Sequence, residues 1–272
     1  MHPLLNIAVK AARAGGDTIV RAMDRADTLK VESKAANDFV SEVDRKSEAD
    51  IIYTIKKAYP DHAILAEESG VTEGTADSDG SEVQWIIDPL DGTTNFLRGL
   101  PMFCVSIAVR VNKQLEHAVV YNPVTQDLYS ASRGTGAWKN NRRVRVSGRK
   151  GLQGALIGTG VPFREDQPLE PYLDLLKDML PETAGLRRPG SAALDLAYVA
   201  SGTYDAFFET HLSPWDIAAG MLLVQEAGGM VSDYYAKNDS LKNGTIIAAT
   251  PKVHLKMLDL IAPRAKALIG KA

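Results

Sequence analysis

The stretch Trp85–Asn95, WIIDPLDGTTN, decides the fold of this chain. An apolar run typical of a buried strand ends at Asp88, Pro89 fixes a turn, and Asp91 follows next to Gly92. Two carboxylates then share a small space at a strand end, where like charges raise each other's pKa unless a cation compensates them. Because the nearby sequence offers oxygen ligands and neither histidine nor cysteine, we expect Mg²⁺ or Mn²⁺ rather than zinc.

Other acidic residues occupy comparable places in the sequence. Glu67 and Glu68 end the strand-like segment AILAEES, and Asp216 enters an apolar helix. Taken separately, each has an equally good explanation without a metal: Glu68 can face solvent, Asp216 can cap its helix, and an aspartate after a strand is often a turn residue. Taken together with Asp88 and Asp91, they indicate a metal cluster, because unpaired buried carboxylates are costly.

The residues after the second aspartate suit a phosphate group. Gly92, Thr93 and Thr94 offer backbone N–H groups and hydroxyls that can surround an anion, especially where a helix begins. The stretch is therefore expected to bring a metal and a phosphate together.

Composition narrows the class of protein. The chain has 272 residues, 45% hydrophobic and 24% charged, which is ordinary for a globular protein and unlike a disordered one. The formal charge of -3 gives no global basic field for wrapping nucleic acid. Cys104 is the single cysteine, so an intramolecular disulfide is impossible and a reducing cytoplasm fits best. The sequence shows neither a signal peptide nor a membrane-spanning run, and we expect a soluble, unprocessed protein.

Periodicity predicts layered α and β structure. Apolar stripes predict amphipathic helices over Pro3–Met23 and Ser41–Tyr59, separated by a polar loop or hairpin. Short segments rich in valine, isoleucine and tyrosine then predict a multistranded sheet, followed by alternating strands and helices. We expect a single domain over 1–272, with subdomains of about 1–150 and 151–272.

One dense basic cluster remains, NNRRVRVSGRK at 140–150. Its more ordinary interpretation is the solvated edge of a hairpin, and the alternative is a contact surface for a partner.

Four motifs together resemble the inositol monophosphatase family of magnesium-dependent, lithium-sensitive phosphatases. They are AEES at Ala66–Ser69, WIIDPLDGTTNF at Trp85–Phe96, GSAALDLAYVASG at Gly190–Gly202 and WDIAAGMLLVQEAGG at Trp215–Gly229. Their order and spacing cover most of the chain. Within the family, SKAANDFVSEVD and the uninterrupted DGTTNF look most like the bacterial inositol-1-monophosphatase group that includes the extragenic suppressor proteins.

The resemblance implies a five-layered αβαβα sandwich, an α/β fold, and a set of metal ligands. Glu67, Asp88 and the backbone carbonyl of Leu90 match the ligands of a first Mg²⁺. Asp88, Asp91 and Asp216 match those of a second, and Glu67 also matches a weaker third site. Mn²⁺ can substitute in such sites.

The resemblance also implies catalytic and substrate residues. Asp44, Thr93 and Glu67 match the catalytic set, in which Asp44 and Thr93 orient a metal-bound water for in-line attack. Lys34 matches a lysine of a mobile loop, although a shift of one residue places Ser33 there. The residues that match phosphate and ring contacts are Asp91, Gly92, Thr93, Gly190, Ser191, Ala192, Glu209 and Asp216.

Two functions follow from the resemblance. The first is hydrolysis of myo-inositol 1-phosphate and related phosphomonoesters by a homodimer, with fructose 1,6-bisphosphatase-like and nucleotide 3'-phosphatase-like activities as the nearest rivals. The second is a regulatory role in ribosomal RNA antitermination, through NusA and RNA polymerase. The basic cluster and Arg187–Arg188 are the candidate contacts for the second role, and neither role excludes the other.

Overall fold

A computed structural model describes residues 2–23, 31–35, 38–162 and 167–270, and the side chains from 31 to 41 lie outside the description. The first predicted helix spans Pro3–Met23, and the second spans Glu42–Ala58 and stops just before Pro60. The helices of these residues are α1 Pro3–Met23, α2 Glu42–Ala58, α3 Thr93–Leu97, α4 Leu169–Met179, α5 Ala192–Ala200, α6 Pro214–Glu226, α7 Ser240–Asn243, α8 Pro251–Ile261 and α9 Ala265–Ile269. No helix in these ranges is long and apolar enough to cross a membrane.

The strands form a hairpin and two larger sheets. The predicted polar hairpin pairs β1 (Val31–Ala35) with β2 (Asp38–Ser41). The eight-stranded sheet, in the order β10-β9-β8-β7-β6-β5-β3-β4, contains β3 Ala63–Ala66, β4 Gly70–Thr72, β5 Val83–Asp91, β6 Cys104–Val111, β7 Gln114–Asn122, β8 Asp127–Ser132, β9 Gly136–Lys139 and β10 Arg142–Val144. The five-stranded sheet, in the order β12-β11-β13-β15-β14, contains β11 Leu156–Thr159, β12 Gly185–Arg187, β13 Ala206–Glu209, β14 Met230–Ser232 and β15 Ile246–Ala249.

The layers follow the predicted αβαβα order. Helices α1 and α2 cover one face of the large sheet, where Ile19, Ile51 and Trp85 are buried in a common core. Helices α5 and α6 are packed between the two sheets, with eight of the nine residues of α5 and eight of the thirteen residues of α6 buried. Helices α4 and α8 cover the outer face of the small sheet. The fold class expected from the sequence is therefore confirmed, whereas a division into subdomains near residue 150 stays a prediction.

The short edge strands and the outer helix α8 were absent from the sequence-based prediction. Strands β12 and β14 have three residues each, too few to show a period of two. The basic segment is confirmed as a hairpin edge, since β10 lies at the end of the large sheet and pairs only with β9 within the described strands.

Two glycines inside α1 allow the helix to pack closely on its neighbours. A Cβ at Gly15 would lie 2.7 Å from the Ser47 hydroxyl and 2.8 Å from Ile51 on α2. A Cβ at Gly16 would lie 2.7 Å from the Tyr121 ring. These residues weaken the helical signal in the sequence, yet they set the distance between α1 and the elements that carry the site.

We predict that Gly15→Val lowers the free energy of unfolding by about 1–3 kcal/mol, because the added side chain overfills the contact with α2. Ala14→Val, one position away on a less buried face, is the matched control and should cost less than about 1 kcal/mol, the difference in helix propensity. Urea denaturation of both variants measures the effect. Equal losses in the two would contradict the close packing.

Candidate active site

One cavity of about 970 Å³ collects almost all of the predicted site residues. It opens between the end of β5, the start of α5 and the start of α6. Asp44 does not line the cavity itself, but it is hydrogen-bonded to Thr93, which does. The side chains of Lys34 and Ser33 lie outside the described residues. The predicted residues that line the cavity are Glu67, Asp88, Leu90, Asp91, Gly92, Thr93, Gly190, Ser191, Ala192, Glu209 and Asp216.

A break in the strand ladder brings the two aspartates of β5 into the same cavity. On a regular strand, residues three apart point to opposite faces. The pairing of β5 with β6 shifts register between Asp88 and Asp91, where Pro89 cannot donate to the ladder. Asp88 then accepts a hydrogen bond of 3.0 Å from the Leu90 N–H, which fixes its carboxyl group in the turn.

Parallel pairing adds Glu67 to this edge of the sheet. Strands β3 and β5 run parallel, with Ala66 opposite Ile87, so the next residues, Glu67 and Asp88, lie side by side. The Glu67 N–H donates to the Ile87 carbonyl at 3.2 Å and continues the ladder by one step.

The start of α6 supplies Asp216 from the other side of the cavity. Ser106 lies opposite Asp88 in the β5–β6 pair, and its hydroxyl donates to the Trp215 carbonyl at 3.3 Å. Asp216 also accepts a hydrogen bond of 2.6 Å from the Ser213 N–H in a capping box. Asp216 therefore caps its helix, as one of the two interpretations of the sequence predicts, and its carboxylate also lines the cavity.

Without a bound cation, these carboxylates repel one another. Burial, followed by the charges of Glu67, Asp91 and Asp216, raises the pKa of Asp88 well above its usual value. Burial and then the charge of Asp91 raise the pKa of Asp216 in the same way. Burial raises the pKa of Asp91 to about 6, against the lowering effect of hydrogen bonds from Ser191 and α5. The site concentrates negative charge that a bound cation would neutralise.

Thr93 and Asp44 form the predicted pair. The Thr93 hydroxyl lies 2.8 Å from Asp44 Oδ1 and 3.1 Å from the Leu90 carbonyl oxygen, and its single proton is better placed for the shorter bond. Asp44 is 1% exposed in the first turn of α2. Gly92, with φ of 98°, makes the turn that presents Thr93, and a Cβ there would lie 2.8 Å from the Met102 carbonyl oxygen.

Asp91 is held by the first turn of α5. Its Oδ2 accepts hydrogen bonds of 2.7 Å from both the Ser191 hydroxyl and the Ala193 N–H. Ser191 is 1% exposed, so its direct contact with substrate stays a prediction, and the observed contact acts through Asp91. The Cys104 sulfur lies 3.9 Å from the same oxygen. Cys104 is thirteen residues away in the sequence, and the pairing of β6 with β5 brings it beside Asp91.

Glu209 closes the far end of the cavity at the last residue of β13. Its carboxylate occupies the space that a Cβ on Gly160 would need. Burial raises the pKa of Glu209 to about 8, and the Arg188 guanidinium opposes that shift. Arg188 also lines the cavity, so this end offers both a carboxyl acceptor and a guanidinium donor to the hydroxyl groups of a ligand.

The donor set suits a hard divalent cation. Three aspartates, a glutamate and a backbone carbonyl supply only oxygen, as Mg²⁺ and Mn²⁺ prefer. Within the described ranges, no three histidine, cysteine, aspartate or glutamate side chains already form a metal cage. Each aspartate has an oxygen held by an N–H group, but a carboxylate has about four lone-pair sites, so rotation of the side chains can still accommodate a cation. The residues therefore fit a divalent metal ion.

Several residues at the site escaped the sequence analysis. Asn95 donates from Nδ2 to the carbonyls of Met102 at 2.6 Å and Pro189 at 2.8 Å. These bonds connect the segment after Asp91 to the loop that precedes α5. Two residues of α2 also form hydrogen bonds to the site: Ser47 to the Pro89 carbonyl, and Glu48 to the N–H groups of Glu68 and Ser69. Their only sequence signal is a polar residue on the apolar face of an amphipathic helix. His211 is an exposed residue at the rim of the cavity, and its Nε2 lies 3.2 Å from the Ile269 carbonyl oxygen.

A second cavity of about 940 Å³ lies at the opposite end of the large sheet. It is lined by His2, His117, Arg133 and Trp138 among others, and receives none of the predicted metal ligands. We therefore place the chemistry in the first cavity.

Comparison with known proteins identifies the family of this chain. The family model described as the inositol monophosphatase family matches residues 1–267. The chain belongs to this family. A Nus factor SuhB of Pseudomonas aeruginosa is 53% identical over 265 residues, covering 97% of each chain.

Solved structures of family members share the fold. The crystal structure of an extragenic suppressor protein SuhB from Bartonella henselae has a TM-score of 0.91 and 42% identity, covering 96% of this chain and 98% of that one. An inositol monophosphatase from Anabaena (Nostoc) sp. has a TM-score of 0.83 and 35% identity, covering 96% and 95%. Family membership supports a phosphatase-type fold that generally works with metal ions.

We predict that the stability of this family member, free of metal, falls between pH 6.5 and 8.5. An acid whose pKa is raised by folding contributes stability that is present below its unfolded pKa and is lost as the pH rises through the folded pKa. Folding raises the pKa of Glu209 from 4.5 to about 8, so its contribution is lost progressively as the pH rises between these values, and the last part of that loss falls in this window. The lowered pKa of His117, about 4, acts in the opposite direction but only below this window.

Thermal unfolding with and without Mg²⁺ at matched ionic strength measures this effect. Mg²⁺ should raise Tm more at pH 8.5 than at pH 6.5, because protons compete with the metal for carboxylates. Glu209→Gln is the control and should reduce the fall in metal-free Tm. A Tm that is flat or rises with pH in the absence of metal would contradict the charge balance described here.

Proposed function

We propose that this protein hydrolyses myo-inositol 1-phosphate and related phosphomonoesters to inositol and phosphate in a Mg²⁺-dependent reaction. The observation that carries the proposal is the convergence of Glu67, Asp88, Asp91 and Asp216 on one cavity, next to the hydrogen-bonded pair of Thr93 and Asp44. The four carboxylates and the Leu90 carbonyl would hold two Mg²⁺ ions, or three with the third bound more weakly. When bound, they supply Lewis-acid activation of water and charge stabilisation for the phosphate and the leaving alkoxide.

The chain's own residues orient the nucleophile. Because Thr93 donates its proton to Asp44, the lone pairs of its hydroxyl are free to accept a hydrogen bond from a water in the cavity. Asp44 then takes up the proton that this water loses, through Thr93, as attack on phosphorus proceeds. Asp44 is buried and fixed on α2, so little reorganisation is needed when charge develops.

The remaining walls suit a polyhydroxylated alcohol. Gly190, Ala192 and Glu209 line the cavity beyond the carboxylates, where the alcohol part of the substrate would lie. Glu209 can accept hydrogen bonds from ring hydroxyls, and Arg188 can donate to their oxygens. This arrangement favours an inositol phosphate over the two rival substrates, fructose 1,6-bisphosphate and adenosine 3',5'-bisphosphate.

Phosphate release from the three substrates, with and without Mg²⁺ and Li⁺, tests the proposal. The expected result is Mg²⁺-dependent, Li⁺-inhibited turnover that is strongest on myo-inositol 1-phosphate. Preference for either rival would contradict the substrate, and metal-independent turnover would contradict the mechanism.

We predict that Asp88→Asn abolishes detectable turnover and leaves the fold intact. Asp88 lies at the centre of the carboxylate cluster, where an amide removes a charge and one acceptor oxygen. Asp79→Asn is the matched control: Asp79 lies in an exposed loop and bonds Ser81, so activity should be unchanged. Near-normal turnover in Asp88→Asn would rule out the metal assignment.

A second function is favoured by the names of the relatives and by one surface. We propose that the protein also binds NusA or RNA polymerase in transcription antitermination, as a Nus factor. Arg142, Arg143 and Arg145 are exposed on and beside the edge strand β10 of the large sheet. A basic edge suits an acidic partner surface.

Reversal of all three arginines to glutamate should weaken capture by purified NusA or RNA polymerase without lowering phosphatase activity. The control reverses three exposed lysines elsewhere, Lys10, Lys252 and Lys266, which changes the net charge equally. Binding that is unchanged in the arginine variant, or equally weakened in both, would remove this surface as the contact.

A further inference from the structure

The buried polar residues of α2 form a row that faces the proposed metal site. Asp44, Ser47 and Glu48 lie on one face of the helix at spacings of three and four residues, and all three are at most 3% exposed. Valine and isoleucine residues flank them in the core. Polar groups on an apolar helix face are costly unless each one has a partner.

The three residues contact two segments of the site. Asp44 accepts from Thr93, and the Ser47 hydroxyl donates to the Pro89 carbonyl at 2.9 Å. Glu48 accepts hydrogen bonds of 2.9 Å on both carboxylate oxygens, from the N–H groups of Glu68 and Ser69. One rigid helix therefore holds two separate segments, the turn after Asp88 and the turn after β3.

The hydrogen bonds of Glu48 bear most directly on the position of the predicted metal ligand Glu67. Glu67 immediately precedes the two N–H groups that Glu48 binds, and it lies beside Asp88. Strand β3 ends at Ala66 and β4 begins at Gly70, so the turn of Glu67, Glu68 and Ser69 has no strand ladder of its own beyond Glu67. A two-point bond from a buried carboxylate fixes this turn, and hence the direction of the Glu67 side chain.

We propose that Glu48 is a positioning residue for the metal site: it orients Glu67 for metal binding without contacting the metal or the substrate. The inference rests on the proposed metal-dependent function. It makes the affinity for metal depend on a residue that does not line the cavity. Residues that orient metal ligands typically change metal affinity by about 10–100-fold when they are mutated.

The test compares Glu48→Gln with Glu42→Gln on the same helix. The first variant keeps the shape of the side chain, but its amide can accept only one of the two N–H bonds and turns a donor toward the other. Glu42 is exposed in the first turn of α2, so its variant makes the same change in charge away from the site. Mn²⁺ is titrated without substrate, and free ion is followed by electron paramagnetic resonance, alongside metal-free Tm and kcat.

We expect Mn²⁺ affinity to fall by about tenfold or more in Glu48→Gln and to stay at the parent value in Glu42→Gln. Parental Mn²⁺ affinity in Glu48→Gln overturns the proposal, even if its Tm is lowered, because the role would then be purely structural. Should Glu48→Gln fail to fold, Glu48→Asp replaces it: the carboxylate is kept but withdrawn by one methylene, and weaker Mn²⁺ binding is again expected. Failure of both variants to fold assigns Glu48 to folding and overturns the proposal.

Failure of the proposed function can be recognised separately. A parent protein that binds Mn²⁺ but releases no phosphate from any phosphomonoester contradicts the phosphatase and leaves the comparison of affinities decisive. A parent protein that binds no Mn²⁺ contradicts both.

Discussion

Mutual repulsion among four carboxylates is the constraint on which the site depends. Glu67, Asp88, Asp91 and Asp216 lie around one cavity, and burial together with their mutual charge raises the pKa of Asp88 and Asp216 well above the usual range. Left alone, such a cluster costs stability, and a divalent cation turns the same charges into a binding site. The fold must therefore hold together groups that repel each other, and most of the local structure serves that purpose.

Different parts of the fold contribute one constraint each. The register break in β5 places Asp88 and Asp91 in one cavity, and parallel pairing with β3 adds Glu67. The bond from Ser106 to Trp215 docks α6 with Asp216 against the sheet. Helices α2 and α5 then fix the loops by hydrogen bonds. Because these elements come from both halves of the chain, the site and the layered fold form together.

The sequence predicts the parts of this site that leave a local pattern. The Asp88–Pro89 turn and the apolar runs before it carry enough information to locate a metal site, and the long helices show clear periodicity. The two main helices end within one residue of the predicted bounds because Pro60 and the polar hairpin delimit them.

Other features depend on contacts across the chain and leave no local signal. Cys104 meets Asp91 only through the pairing of β5 with β6, and Ser191 turns out to bind Asp91. Glu48 resembles any charged residue of a helix until the turn at Glu68 and Ser69 is placed against it. Glycines 15 and 16 weaken a helix in the sequence and enable its packing in the structure. Tertiary contacts decide each of these cases.

The most direct test of the central claim is to locate the metal in a crystal. Anomalous scattering from crystals grown with Mn²⁺ would show whether the ion lies among the four carboxylates. The account predicts anomalous peaks bounded by Glu67, Asp88, Asp91 and Asp216, with the Leu90 carbonyl as a further ligand. Peaks elsewhere only, or an empty cavity at Mn²⁺ concentrations that support turnover, would contradict it.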